Sequence, residues 1–94
     1  SSTTEKVKNS LNVVLKKNTI SLSFILDEDA NIKIDLFNTL GQNIISFYEI
    51  AVSQSKDFQY FEYPISEKNI SNGIYILRMK FDDKVITKKV YVEY

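Results

Sequence analysis

The chain has 94 residues, no cysteine, no histidine, and twelve basic residues balanced by twelve acidic ones. That length makes one domain with one modest core, and the missing side chains exclude disulfides, thiolate chemistry and a serine triad built on histidine. Zero net charge argues against a nucleic-acid binder, which needs a positive surface to meet phosphates, and no apolar run approaches the roughly 20 residues that span a bilayer.

Residues 1–9, SSTTEKVKN, are polar, lack the apolar core of a signal peptide, and read as a linker. The chain opens on Ser1 rather than methionine, as a fragment or a processed chain would. From residue 10 to 94 apolar and polar residues alternate with period two, the mark of half-buried strands. Leu11, Val13 and Leu15 share one face of the first strand, and Ile20, Leu22, Phe24 and Leu26 one face of the second. Asp27–Ala30 breaks the pattern as a turn. In NIKIDLF, Ile32, Ile34 and Leu36 point inward, with Lys33 and Asp35 outward. NTLGQ is a hairpin loop in which Gly41 can adopt a positive φ.

NIISFYEIAV is a fourth apolar run with poor alternation, and KDFQYFEYPI a fifth, whose Pro64 suits an edge or a strand end. SEKNISNG is a loop from which Ile70 plugs the core. In the sixth strand Tyr75, Leu77, Met79 and Phe81 form an apolar face, with Arg78 and Lys80 opposite. Asp82 and Asp83 centre a short turn. The seventh strand, VITKKVYVEY, sets Ile86, Val90, Val92 and Tyr94 against Thr87, Lys89, Tyr91 and Glu93. No segment reads as a helix. Seven short strands with regular turn signals predict an all-β fold, a seven-stranded antiparallel immunoglobulin-like β-sandwich.

Two stretches carry a family resemblance. IKIDLFNTLGQNI and ISNGIYILRMKFDDKVITKKVYV, in this order and at this spacing, resemble the two glycine hairpins of the C-terminal sorting domains of the type IX (Por) secretion system of Bacteroidetes. The resemblance covers about residues 10–94. It implies a β-sandwich attached to an N-terminal cargo domain, which passes through the periplasm and is recognised by an outer-membrane translocon. It also implies a surface sortase-like peptidase that removes the domain, leaving the cargo at the cell surface or secreted. Gly41 matches the hairpin glycine. Gly73, Tyr75 and Leu77 fall in the GiYil core, and Lys89, Val90 and Val92 in the closing strand, beside Lys88. The Asn-Pro pair that opens many members is reduced to Asn9 without proline, and the glycine of the last turn is replaced by Asp82-Asp83.

Each of these residues also has a plain structural use. Gly73 can relieve a turn and Tyr75 can pack with its hydroxyl on the backbone. Lys88 and Lys89 can guard an edge strand against aggregation, or belong with the last strand to the surface a translocon reads. Lys88 shares parity with Ile86 and Val90, so it must snorkel or sit at a bulge. Phe58 and Tyr60 face outward, near Phe47 or Tyr48, as an exposed aromatic patch that could stack on a sugar or meet a parent domain. That patch leaves an accessory carbohydrate-binding or structural module of a secreted enzyme as the alternative. The acidic turns at Asp27–Asp29 and Asp82–Asp83 lack the spacing of a calcium loop, so no metal or cofactor is expected. Acid pairs such as Asp57 and Glu62 read as solvated faces rather than an active site.

Overall fold

The computed structural model describes residues 2–16, 18–65 and 70–92. Among these residues one helix precedes seven strands: α1 (Ser2–Ser10), β1 (Asn12–Leu15), β2 (Thr19–Phe24), β3 (Ala30–Asn38), β4 (Asn43–Val52), β5 (Gln59–Pro64), β6 (Gly73–Phe81) and β7 (Lys84–Val92). The strands form two antiparallel sheets, of order β1-β2-β5 and β4-β3-β6-β7, and the fold is all-β in its strand content. The chain changes sheet after β2, after β4 and after β5. Both sheets contribute to one buried cluster.

The alternation decides which face is buried. Ile20, Leu22, Phe24 and Leu26 are fully buried from the three-stranded sheet and its continuation, and Ile34, Leu77 and Met79 answer them from the four-stranded sheet. Ile70 is buried, as a core plug should be. Pro64 ends the edge strand β5, where a missing N–H costs no ladder bond. The expected loop residues 66–69 and the end of the seventh strand, Glu93 and Tyr94, lie outside the described residues.

The poor alternation of β4 has a local cause. Ala30 pairs with Val52 and Ile32 with Glu49, so Ile50 and Ala51 together oppose Asn31 in a β-bulge. Ile45 and Phe47 pack on the core from odd positions, and beyond the bulge the buried residue is Val52, an even one. Ala51 takes φ 57°, a left-handed conformation more often given to glycine, and its N–H donates to Asn31 Oδ1 at 2.9 Å.

The reading without a helix is corrected by α1, which occupies most of the segment expected as a linker at residues 1–9. Val7 and Leu11, four residues apart and therefore on one helical face, are both buried. Glu5 lies in the first turn and Lys8 in the last, each matched to the helix dipole. The Ser10 hydroxyl donates to Lys6 O at 2.6 Å and accepts from Ile25 N at 2.8 Å, tying the helix to the end of β2. A nine-residue helix is marginal alone; this one is held by the core residue it carries.

Candidate functional site

The residues that carry the family resemblance gather on the closing hairpin. In the β6–β7 register Gly73 faces Val92, Tyr75 faces Val90 and Leu77 faces Lys88, so six of the eight form three cross-strand pairs. Gly73 takes φ 145° and Gly41 φ 84°, conformations that a side chain would strain. The Gly41 turn is closed by Asn38, whose Oδ1 accepts from the N–H groups of Leu40 and Gln42. Asn38 is itself the register partner of Tyr75 on β6. The two glycine segments therefore adjoin, around a shallow groove of ≈ 450 Å³ lined by Asn38, Thr39, Ile44 and Ser71–Tyr75.

Most of these side chains look inward. Tyr75, Leu77, Val90 and Val92 are buried. The Tyr75 hydroxyl donates to Ser71 O at 3.0 Å and accepts from Ser71 N at 2.9 Å, closing the turn that leads into β6. Lys88 meets its inward parity by snorkelling: the β6–β7 register has no bulge, and the Lys88 ammonium donates to Leu11 O at 2.7 Å. Lys89 lies on the outward face opposite Ile76 and is exposed. The turn that replaces glycine by Asp82-Asp83 gives Asp82 a φ of 55°. Aspartate tolerates this region better than most residues. Asp82 N donates to Asn31 O at 3.1 Å, and Asn31 N donates to Asp82 Oδ1 at 3.3 Å.

Phe58 and Tyr60 are both exposed, at 61% and 63%. Neither ring stacks on Phe47 or Tyr48, the residues beside which the sequence places them. Phe47 stacks on Tyr63, centroids 4.2 Å apart, against the core. Tyr48 lies on the four-stranded sheet beside Lys33. Phe58 instead borders an open groove of ≈ 930 Å³ between α1 and the β4–β5 loop, with Lys6, Asn9, Asp27 and Gln54. The Tyr60 hydroxyl donates to Glu62 Oε2 at 2.7 Å, so Glu62 is committed to a local contact rather than to Asp57.

The acidic turns are likewise engaged. Asp27 pairs with Lys6 at 3.4 Å, Glu28 with Lys84 at 2.9 Å, and Asp29 Oδ1 accepts from Gln54 N at 2.8 Å. The Glu28 hydrogen bond holds the Lys84 ammonium above its ordinary pKa. Among the described residues no three acidic groups are disposed to hold a metal ion.

The sequence reading missed Asp35. It faces outward on β3, yet is 0% exposed. Its Oδ2 accepts from Arg78 Nη2 at 2.9 Å, its Oδ1 from Ser46 Oγ at 2.5 Å, and Lys33 Nζ stands 3.8 Å away. Arg78 lies over Phe37 and Lys33 over Tyr48, 4.8 and 5.5 Å from the ring centroids. Burial alone would raise the Asp35 pKa; the Ser46 and Arg78 hydrogen bonds and the charges of Lys33 and Arg78 outweigh it and hold the carboxyl below its usual range. The signal was an aspartate in mid-strand, a disfavoured place unless partnered. Its hydrogen-bond donors come from β4 and β6, 11 and 43 positions away.

Comparison with known proteins adds two likenesses. A solved putative beta-galactosidase from Bacteroides fragilis aligns over 88% of this chain and 16% of its own, at 14% identity and a TM-score of 0.48. No curated protein matches. The family described as the secretion system C-terminal sorting domain matches residues 7–93. With nearly the whole chain covered, from α1 to the end of the closing hairpin, this protein belongs to the type IX secretion C-terminal sorting domain family.

Proposed function

We propose that the domain is a non-catalytic secretion signal that directs a larger cargo through the type IX outer-membrane translocon to the cell surface. The observation that carries this is the family match over residues 7–93. The cargo transits the periplasm, and a surface sortase-like peptidase then releases it from the domain. The two sheets are read as an immunoglobulin-like sandwich, in keeping with strand order β1-β2-β5 against β4-β3-β6-β7. The domain acts as a rigid body presenting the closing hairpin. Its buried members, Tyr75, Leu77, Val90 and Val92, hold the shape, and Gly41 and Gly73 set the turns. Lys89 and its face are what a partner meets, while Lys88 locks the strand to α1.

The test fuses residues 1–94 behind a periplasmic reporter in a host with this secretion system. Surface display or release of the reporter is expected; retention in the periplasm with the fold intact by circular dichroism would sink the proposal.

The groove beside Phe58 favours a second reading, an accessory carbohydrate-binding module. An exposed aromatic ring ringed by amide, ammonium and carboxylate groups has the chemistry to stack on a sugar and bond its hydroxyls. Phe58→Ala would then abolish retardation on a glycan gel without changing the fold. Unretarded migration of the parent chain on every glycan tried counts against it.

A further inference from the structure

The outward face of the four-stranded sheet carries more charge than folding explains. Lys33 on β3, Arg78 and Lys80 on β6, and Lys89 on β7 all have the parity opposite to the core. The register sets Lys33 directly beside Lys80, a like-charge pair that weakens a sheet. Among the described strand residues of this face four cations stand against one carboxylate, Asp35. That is a surplus of three among those strand residues on a chain with zero net charge, with the carboxylates of Glu49 and Asp82 bordering Lys33 and Lys80 at one end of the face. The carboxylate is sealed beneath the surface, where it aims Arg78 across Phe37 and braces Lys33. Lys80 and Lys89 have no ion-pair partner among the described residues. Apolar groups fill the space between the cations: Phe37 adjoins Ile76, which adjoins Lys89, and Tyr91 stands exposed at the lower end.

We infer that this face docks an acidic protein surface. Arginine and aromatic groups set on a rigid sheet have the composition of an interface centre, and the lysines at its margin give it a sign. The inference rests on the sorting reading for the partner's identity, a component of the secretion machinery, and adds to it the partner's charge and the face it meets.

Two double variants test it with the same change in net charge. Lys80→Glu with Lys89→Glu reverses the face, whereas Lys16→Glu with Lys56→Glu reverses two exposed lysines off it. Equal unfolding midpoints for both are checked first. As a reporter fusion in a type IX host, the face variant should be exported about tenfold less, and the control like the parent. Undiminished export of the face variant overturns the inference and leaves the sorting function standing.

Retention of the parent fusion itself would end the sorting reading, and purified chain then decides the inference. Salt-sensitive binding to poly-L-glutamate, lost in the face variant alone, upholds an acidic-polypeptide surface. No binding, or equal loss in the control, overturns it. So does a preference for heparin or phosphatidylglycerol vesicles, which would assign the face to a glycan or a membrane.

Discussion

The ammonium of Lys88, on the last strand, donates to the carbonyl oxygen of Leu11, at the end of the only described helix, across 2.7 Å. Leu11 N closes the final helical bond to Val7 O, so the lysine meets the negative end of the helix dipole. The neighbouring Lys89 makes no such contact. Lys88→Met should therefore cost about 1 kcal/mol, and Lys89→Met less than about 0.5 kcal/mol. Urea midpoints at unchanged slope measure both, and equal effects would refute the division of labour.

Asp35 makes the fold acid-sensitive in a defined direction. Its carboxyl is held below its ordinary value in the folded chain. The stability it contributes is thus present above the unfolded value of about 3.9 and is lost as pH falls through the folded value. Asp35→Asn should lower stability by about 1–2 kcal/mol at neutral pH and flatten the fall below about pH 4. Thermal melts of both chains between pH 7 and pH 3 provide the comparison. Parallel curves would show that another group sets the acid limb.

Ala51 sits at a bulge with φ 57°. Glycine removes the strain of a left-handed alanine, worth about 1–2 kcal/mol, and returns about 0.5–1 kcal/mol through chain entropy. Ala51→Gly should raise the melting temperature slightly, and Ala51→Val should lower it. A drop with glycine would mean that the methyl group packs in a way its exposure does not reveal.

Tyr75 uses one hydroxyl for two bonds to the Ser71 backbone. Tyr75→Phe keeps the ring but strips both, for a loss of about 1–2 kcal/mol. Because this group faces the core, export of a reporter at a temperature where the variant stays folded should equal that of the parent chain. A well-folded variant that is retained would give the hydroxyl a recognition role.

Strands, faces and turns were legible because each inward residue recurs every second position, as at Ile20–Leu26 and Tyr75–Phe81. β4 was blurred because its register slips twice, at Ile44 and at Ile50–Ala51, and each slip inverts the parity. The helix was hidden because its apolar face is only Val7 and Leu11, too few for a periodic signal in a polar stretch. Parity left Lys88 either to snorkel or to sit at a bulge; the unbroken register decides for snorkelling, and the acceptor, 77 positions away, had no local signal. The Asp35 network and the cationic face draw on three or four strands at once, and no local pattern announces such a meeting.

Helix α1 bears on β2 of one sheet and β7 of the other, with Val7 wedged in the core, Ser10 bonded to Ile25 and Lys88 bonded to Leu11. The consequence is mechanical. A strand tugged at its tip unzips one bond at a time, at low force. Tension applied at Ser2 meets this clamp before it reaches β1 and divides between both sheets. Withdrawing α1 means dragging a buried valine out and breaking two cross-links together, so the domain resists as a block when pulled from its first helix.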